Sequence, residues 1–197
     1  MPQKPKNLTS PNGDVRTLLT YRKAEIIYDL TFHFAHAFLS RGDRTIDQMI
    51  QAARSGKQNI AEGSAAGVTS SETAIKLTGV AKASFVELLL DYEDFLRVRN
   101  LRQWEKNSKE VLFLRKKSID RTVPDQWFVE LAKSRPAETV ANMAIVFLHQ
   151  EDYLLQNQLD ALEQKFLSEG GFREQMFSAR LKRRNSANTT GGEEPQN

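Results

Sequence analysis

The chain of 197 residues reads as all-α: an antiparallel up-down four-helix bundle with a helical insertion between the third and fourth long helices and a short basic helix near the C-terminus. Three observations predict this. Apolar residues recur at spacings of three and four over long stretches, no useful length alternates with the period of two that a strand requires, and the ten glycines and six prolines gather mostly near the ends and the joints. Four long amphipathic segments on short or moderate connections bury their stripes most simply by lying against one another.

Residues 1–16 hold three prolines, two lysines and Asn12-Gly13 with little apolar material to offset the entropy of ordering, and are expected to form a disordered tail. The first helix carries Leu19, Ile26, Ile27, Leu30, Phe34, Ala37 and Phe38 along one side and should stop at Arg41-Gly42-Asp43. Thr45-Ile46-Asp47-Gln48 reads as a capping box for the second, whose face is Ile46, Met49, Ile50, Ala53 and Ile60. Ala52, Ser55, Gly56 and Gly63 lie on or beside that face, where small side chains let a neighbouring helix approach, and Gly63–Gly67 ends the segment. A second capping box, Thr69-Ser70-Ser71-Glu72, opens the third helix. Its stripe is Ala74, Leu77, Ala81, Phe85, Leu88, Tyr92 and Phe95, and from Ser70 to near Arg99 it would run about 45 Å.

The insertion, residues 101–136, follows. From Arg97 to Arg121 nine cations face only Glu105, Glu110 and Asp120, while Val111–Leu114 predicts a short helix or a folded connector. Pro124 and Pro136 bracket a further short helix with Trp127, Phe128 and Leu131 as contacts. The last long helix carries Val140, Met143, Phe147, Leu148, Leu155, Leu159, Leu162 and Phe166 until Gly170-Gly171 stops it. The bundle domain is thereby drawn at 17–169. An amphipathic basic extension follows at 170–184, with Phe172, Met176 and Phe177 as anchors, and a second disordered tail at 185–197.

Composition excludes several function classes. Without cysteine there is no disulfide, no thiolate nucleophile and no Cys-based metal site. No run approaches the roughly 18 apolar residues of a membrane span, and the opening MPQKPKNLTSPNGD has no apolar core, so a cytoplasmic protein without membrane contact is expected. His33, His36 and His149 are not preceded by Glu at the spacing of a di-metal bundle, and Gly63–Gly67 lacks the lysine and glycine spacing of a phosphate cradle. Neither a metal, a cofactor nor an enzymatic activity is expected.

Arg54-Ser55-Gly56-Lys57-Gln58-Asn59-Ile60-Ala61-Glu62-Gly63, followed by Ala81-Lys82-Ala83-Ser84-Phe85-Val86-Glu87-Leu88, resembles the bacterial four-helix-bundle family first named for proteins encoded in intervening sequences of 23S rRNA genes. The opening from Leu19 to Ser64 and the closing EGGFREQMFSARLKRR are similar to its four helix bundle suffix domain subgroup, so that the likeness covers most of 18–184. A more distant likeness is to the accessory variability determinant of diversity-generating retroelements. The resemblance implies a small antiparallel bundle that assembles into rings, notably pentamers. The retroelement relative further implies a basic pentamer that partners a reverse transcriptase and binds nucleic acid.

Two functional classes stay open. The first is a noncatalytic homo-oligomeric scaffold or interaction module, in which the motif residues Arg54, Ser55, Lys57, Asn59, Ile60, Glu62 and Gly63 serve helix packing or an interface. The second is an accessory protein for RNA or DNA, with or without a protein partner. Its phosphate contacts would come from Arg97, Arg99, Arg102, Lys106, Lys109, Arg115, Lys116, Lys117, Arg180, Lys182, Arg183 and Arg184, with Trp104 and Phe113 stacking on unpaired bases. The acids Glu151, Asp152, Asp160, Glu163 and Glu169 would then neutralise the basic face of a neighbouring subunit.

Overall fold

A computed structural model describes residues 15–170 together with Glu174, Met176, Phe177, Arg180, Leu181 and Arg184. The tails expected at 1–16 and 185–197 therefore lie outside the described residues, except that Val15–Thr17 forms a 3-10 turn against the first two helices. Six α-helices follow and, among the described residues, no strand: α1 (Leu19–Phe38), α2 (Thr45–Ala66), α3 (Ser71–Val98), α4 (Lys109–Ile119), α5 (Gln126–Lys133) and α6 (Ala137–Glu169). The long helices meet in a closed cycle, α1 on α2, α2 on α3, α3 on α6 and α6 on α1, while α4 packs on α6 and α5 on both α1 and α6.

Local chemistry sets the helix ends. Both expected capping boxes shift by one or two residues. The backbone N–H of Thr45 donates to the Asp43 carboxylate at 2.9 Å, so that Asp43 rather than Thr45 caps α2. Ser70 caps α3, accepting from the N–H of Thr73 at 3.2 Å. At the far end of α3 the N–H of Leu101 donates to Leu96 O and that of Asn100 to Arg97 O, with Asn100 at φ 52°. That pair of bonds needs a left-handed residue, which Asn tolerates better than most, and it turns the chain into the insertion.

The core runs the length of the cycle. Ile27, Leu30, Phe34, Met49, Ile60, Phe85, Leu88, Tyr92, Met143, Phe147 and Leu148 are all buried. Phe34 lies edge-on to Phe95, with ring centres 4.7 Å apart. The hydroxyl of Tyr92 donates to Thr31, whose own hydroxyl donates to Ile27 O, so the polar end of this ring is satisfied inside the core. Ala37, expected on the α1 stripe, is exposed, and Leu77, Ile46 and Ile50 are only half-buried.

Where α2 crosses α3 the packing depends on one missing atom. A Cβ placed on Gly56 would come within 2.4–2.7 Å of the Phe85 ring, and one on Gly63 would meet Leu77 Cβ at 3.3 Å. Phe85 is buried between the two helices and has nowhere to withdraw. Gly56→Ala is therefore expected to destabilise the chain by about 1–3 kcal/mol despite the better helix propensity of alanine. A melting temperature equal to or above wild type would contradict this account of the crossing.

Candidate functional site

The motif Arg54–Gly63 is laid out along α2 with its small and polar members against α3. Ser55 Oγ and Ser84 Oγ are 3.0 Å apart, and the Asn59 amide donates to Ser55 O at 2.8 Å. Ile60 and Gly63 are buried. Lys57 lies over the Tyr28 ring at 4.3 Å, and Arg54 and Glu62 are exposed. Ser55, Gly56 and Gly63 thus face α3 while Lys57 faces α1, and no motif residue lines either the groove beside α4 and α6 or the one between α1 and α5.

The basic residues of the insertion divide. Arg97 pairs with Asp94 at 2.6 Å, and Arg99 covers the Phe95 ring at 4.1 Å. Arg102, Lys109 and Lys117 are not among the groups that line the main groove, and their charges act on Glu110 or Asp120. Trp104, Lys106, Arg115 and Lys116 do come together. They line a groove of about 830 Å³ bounded by α4, the 101–108 connector, α6 and the start of α1. Phe113 is elsewhere, with its ring 6.4 Å from that of Trp127. Arg180 and Arg184 are exposed on helical backbone, whereas Lys182 and Arg183 lie outside the described residues.

Asn142 positions Trp104. Its side-chain oxygen accepts from the Trp104 N–H at 2.7 Å while its amide donates to Arg102 O and Glu138 O, both at 2.8 Å. A buried Asn satisfied three times over ties the extended connector to α6. The groove walls are largely apolar: Val111 from α4, Ile145, Val146 and Leu154 from α6, and Leu19 from α1. Among the described residues no carboxylate lines it, although Lys23, Lys106, Arg115 and Lys116 all do.

Lys23 is the unusual member. Its side chain is buried; among the described residues its amine donates one hydrogen bond, to Ser118 O at 3.4 Å, and lies 5.2 Å from the centre of the Phe147 ring. Burial pushes its pKa down to about 8, against the opposing pull of Glu151 and Asp125. Glu151, on the adjoining turn of α6, is fully buried with neither oxygen hydrogen-bonded, and burial raises its pKa well above the usual carboxylate range. Two of the five acids expected to face a neighbouring subunit are thereby accounted for otherwise: Glu151 is inside, and Asp152 pairs with Lys82 of α3. The histidines separate too. His33 and His36 flank a second groove between α1 and α5, His149 belongs to the first, and among the described residues no group of three His, Asp or Glu side chains could hold a metal ion.

Lys23 and Asn142 escaped the sequence reading and Glu151 was expected on an outer face, yet each left a signal of its burial. Lys23 precedes Ile26 and Ile27 by three and four, Glu151 stands midway between Phe147 and Leu155, and Asn142 interrupts an apolar run, so each is a polar residue in core phase.

The buried acid has a pH consequence. Above the ordinary glutamate pKa the unfolded chain releases the Glu151 proton that the folded chain retains, so this group costs stability as pH rises from about 4.5 toward its folded value. Glu151→Gln keeps the shape and removes the titration. Its gain in melting temperature over wild type should be larger at pH 8 than at pH 5, and an equal difference at both would mean that Glu151 ionises freely in the folded protein.

No family model matches this chain, and no curated protein or solved structure shows significant similarity to it.

Proposed function

We propose that α1, α2, α3 and α6 form an antiparallel up-down bundle and that the chain is a noncatalytic assembly module which pairs with a second copy through the outer face of α3. The carrying observation is an apolar stripe that the fold leaves uncovered. Gly79, Ala83, Val86 and Leu90 follow one another at intervals of four, three and four, with Val80 beside them. Val80, Val86 and Leu90 are 42%, 41% and 56% exposed. Gly79 has no intramolecular reason to be glycine, since a Cβ there would meet nothing within 4 Å. A mid-helix glycine costs about 1 kcal/mol relative to alanine, which is offset if another helix must come close.

The same face suggests its own partner. Charged residues continue the stripe at both ends, Glu72 and Lys76 before it and Glu93 and Arg97 after it. An antiparallel second copy in the register that sets Ala83 against Val86 also sets Gly79 against Leu90, Lys76 against Glu93 and Glu72 against Arg97. Small then faces large and each charge faces its opposite, the self-complementarity that a two-fold interface requires. This register supports a closed dimer rather than the ring of five that the family resemblance implies.

Charge reversal tests it. Lys76→Glu and Glu93→Lys should each weaken the dimer in analytical ultracentrifugation, and the double variant should restore it, because reversed charges still match across the axis. Gly79→Ala should stabilise the monomer while weakening association. A monomeric wild-type protein at tens of micromolar, or no recovery in the double variant, would defeat the proposal.

A second reading, an RNA- or DNA-binding accessory protein, draws support from the convergence of Lys106, Arg115 and Lys116 beside Trp104 without a carboxylate in the groove lining. It requires affinity that falls steeply with salt and is lost on reversing Arg115 and Lys116 to Glu. Binding that ignores both would remove it.

A further inference from the structure

We propose that the groove between α4 and α6 binds an anionic amphiphile with one carboxylate head and an unbranched apolar body, the chemistry of a free medium-chain or long-chain fatty acid. The volume, about 830 Å³, lies within the range of small-molecule sites. Its walls supply aliphatic side chains from three helices and the indole of Trp104. At its edge Ile119 and Tyr153 are 78% and 67% exposed, so that apolar surface continues out of the cavity instead of being capped.

Selectivity for an acid comes from Lys23. Only 5% of this residue is exposed, it lines the groove, and an ammonium with three donors has just one long hydrogen bond, to Ser118 O. The Phe147 ring and the charges of Glu151 and Asp125 act on this ammonium but accept no hydrogen bond from it, so its remaining donors favour an anion that arrives with an apolar body able to displace water from the trough. Arg115, Lys106 and Lys116 share the lining with Lys23 and add to the positive field around it. A polyanion matches the site less well. Phosphodiester chains are bound by cations on open surfaces, whereas this amine is enclosed by apolar walls.

Dodecanoate is a suitable probe, followed by calorimetry and by the fluorescence of Trp104 in a Trp127→Phe background, since the chain has two tryptophans. The expected result is saturable binding of one dodecanoate per chain, with dodecanol bound at least tenfold more weakly. Lys23→Met, which replaces the buried ammonium with an apolar group of similar length, should keep the helical circular dichroism and lower dodecanoate affinity at least tenfold. Ile145→Phe, which fills the trough and leaves every charge in place, should also reduce binding. Phosphatidylglycerol vesicles separate a membrane surface from a free acid, and the protein should stay in the supernatant when they are sedimented. The proposal is overturned if dodecanoate fails to bind or binds in many non-saturating copies, if dodecanol binds equally well, or if a folded Lys23→Met retains full affinity. Capture by vesicles, or by a single-stranded oligonucleotide, without dodecanoate binding overturns it as well.

Discussion

Helix α6 imposes the constraint on which the other elements depend. Every residue from Val140 to Leu148 is buried, so that for more than two turns this helix has no solvent face. A helix with one stripe needs neighbours on one side; this one needs them all round. α1 and α3 cover two sides, and the inserted helices α4 and α5 together with the 101–108 connector cover others. The insertion is therefore part of the core. Val111, Leu114, Phe128, Val129 and Ala132 contribute buried side chains, and the Phe128 ring meets Phe147 edge-on at 4.9 Å. The Arg22 guanidinium grips the Asp125 carboxylate with two bonds of 2.9 Å, fixing the start of α5 to α1.

That demand also explains the placement of polar groups. A wholly enclosed helix cannot carry a polar side chain without a partner, and Asn142 finds three among the backbone groups of the 101–108 connector and its own helix. The connector is extended because its carbonyl and amide are pledged to Asn142. Trp104, carried with it, becomes a wall of the groove. Glu151 is the exception, buried without a hydrogen bond near the under-partnered Lys23. Burial lowers the pKa of the base and raises that of the acid. The charge on each opposes the shift of the other.

The stripes of α1, α2 and α3 were legible because each is amphipathic, and period alone finds such helices: Leu30, Ile60 and Phe85 fall inside as their spacing requires. α6 was legible as a helix but not as an enclosed one. Its predicted stripe included Val140, Met143 and Phe147 and omitted Ala141, Ile145 and Val146, which are buried too, the last two beside the groove that α4 helps to line. Net charge over 97–121 marked a basic region without showing that it divides, because Arg97 and Arg99 sit on the end of α3 while Arg115 and Lys116 sit a connector and a helix further on. Small residues carried two meanings that sequence does not separate. Gly56 is glycine because of Phe85, whereas a Cβ at Gly79 would point into open space.

That last contrast bears on how the two surfaces relate. The outer stripe of α3 and the groove lined by α4 and α6 share no residue, since neither Gly79, Ala83, Val86 nor Leu90 lines the groove. A dimer formed through α3 therefore covers no groove-lining residue of the stripe itself, and each copy would keep its own cavity. Helix α6 stands between the two surfaces, since it contacts α3 and forms one wall of the groove. The Lys82–Asp152 ion pair is the most direct link: Lys82 precedes the exposed Ala83 on α3, and Asp152 precedes the groove residue Tyr153 on α6.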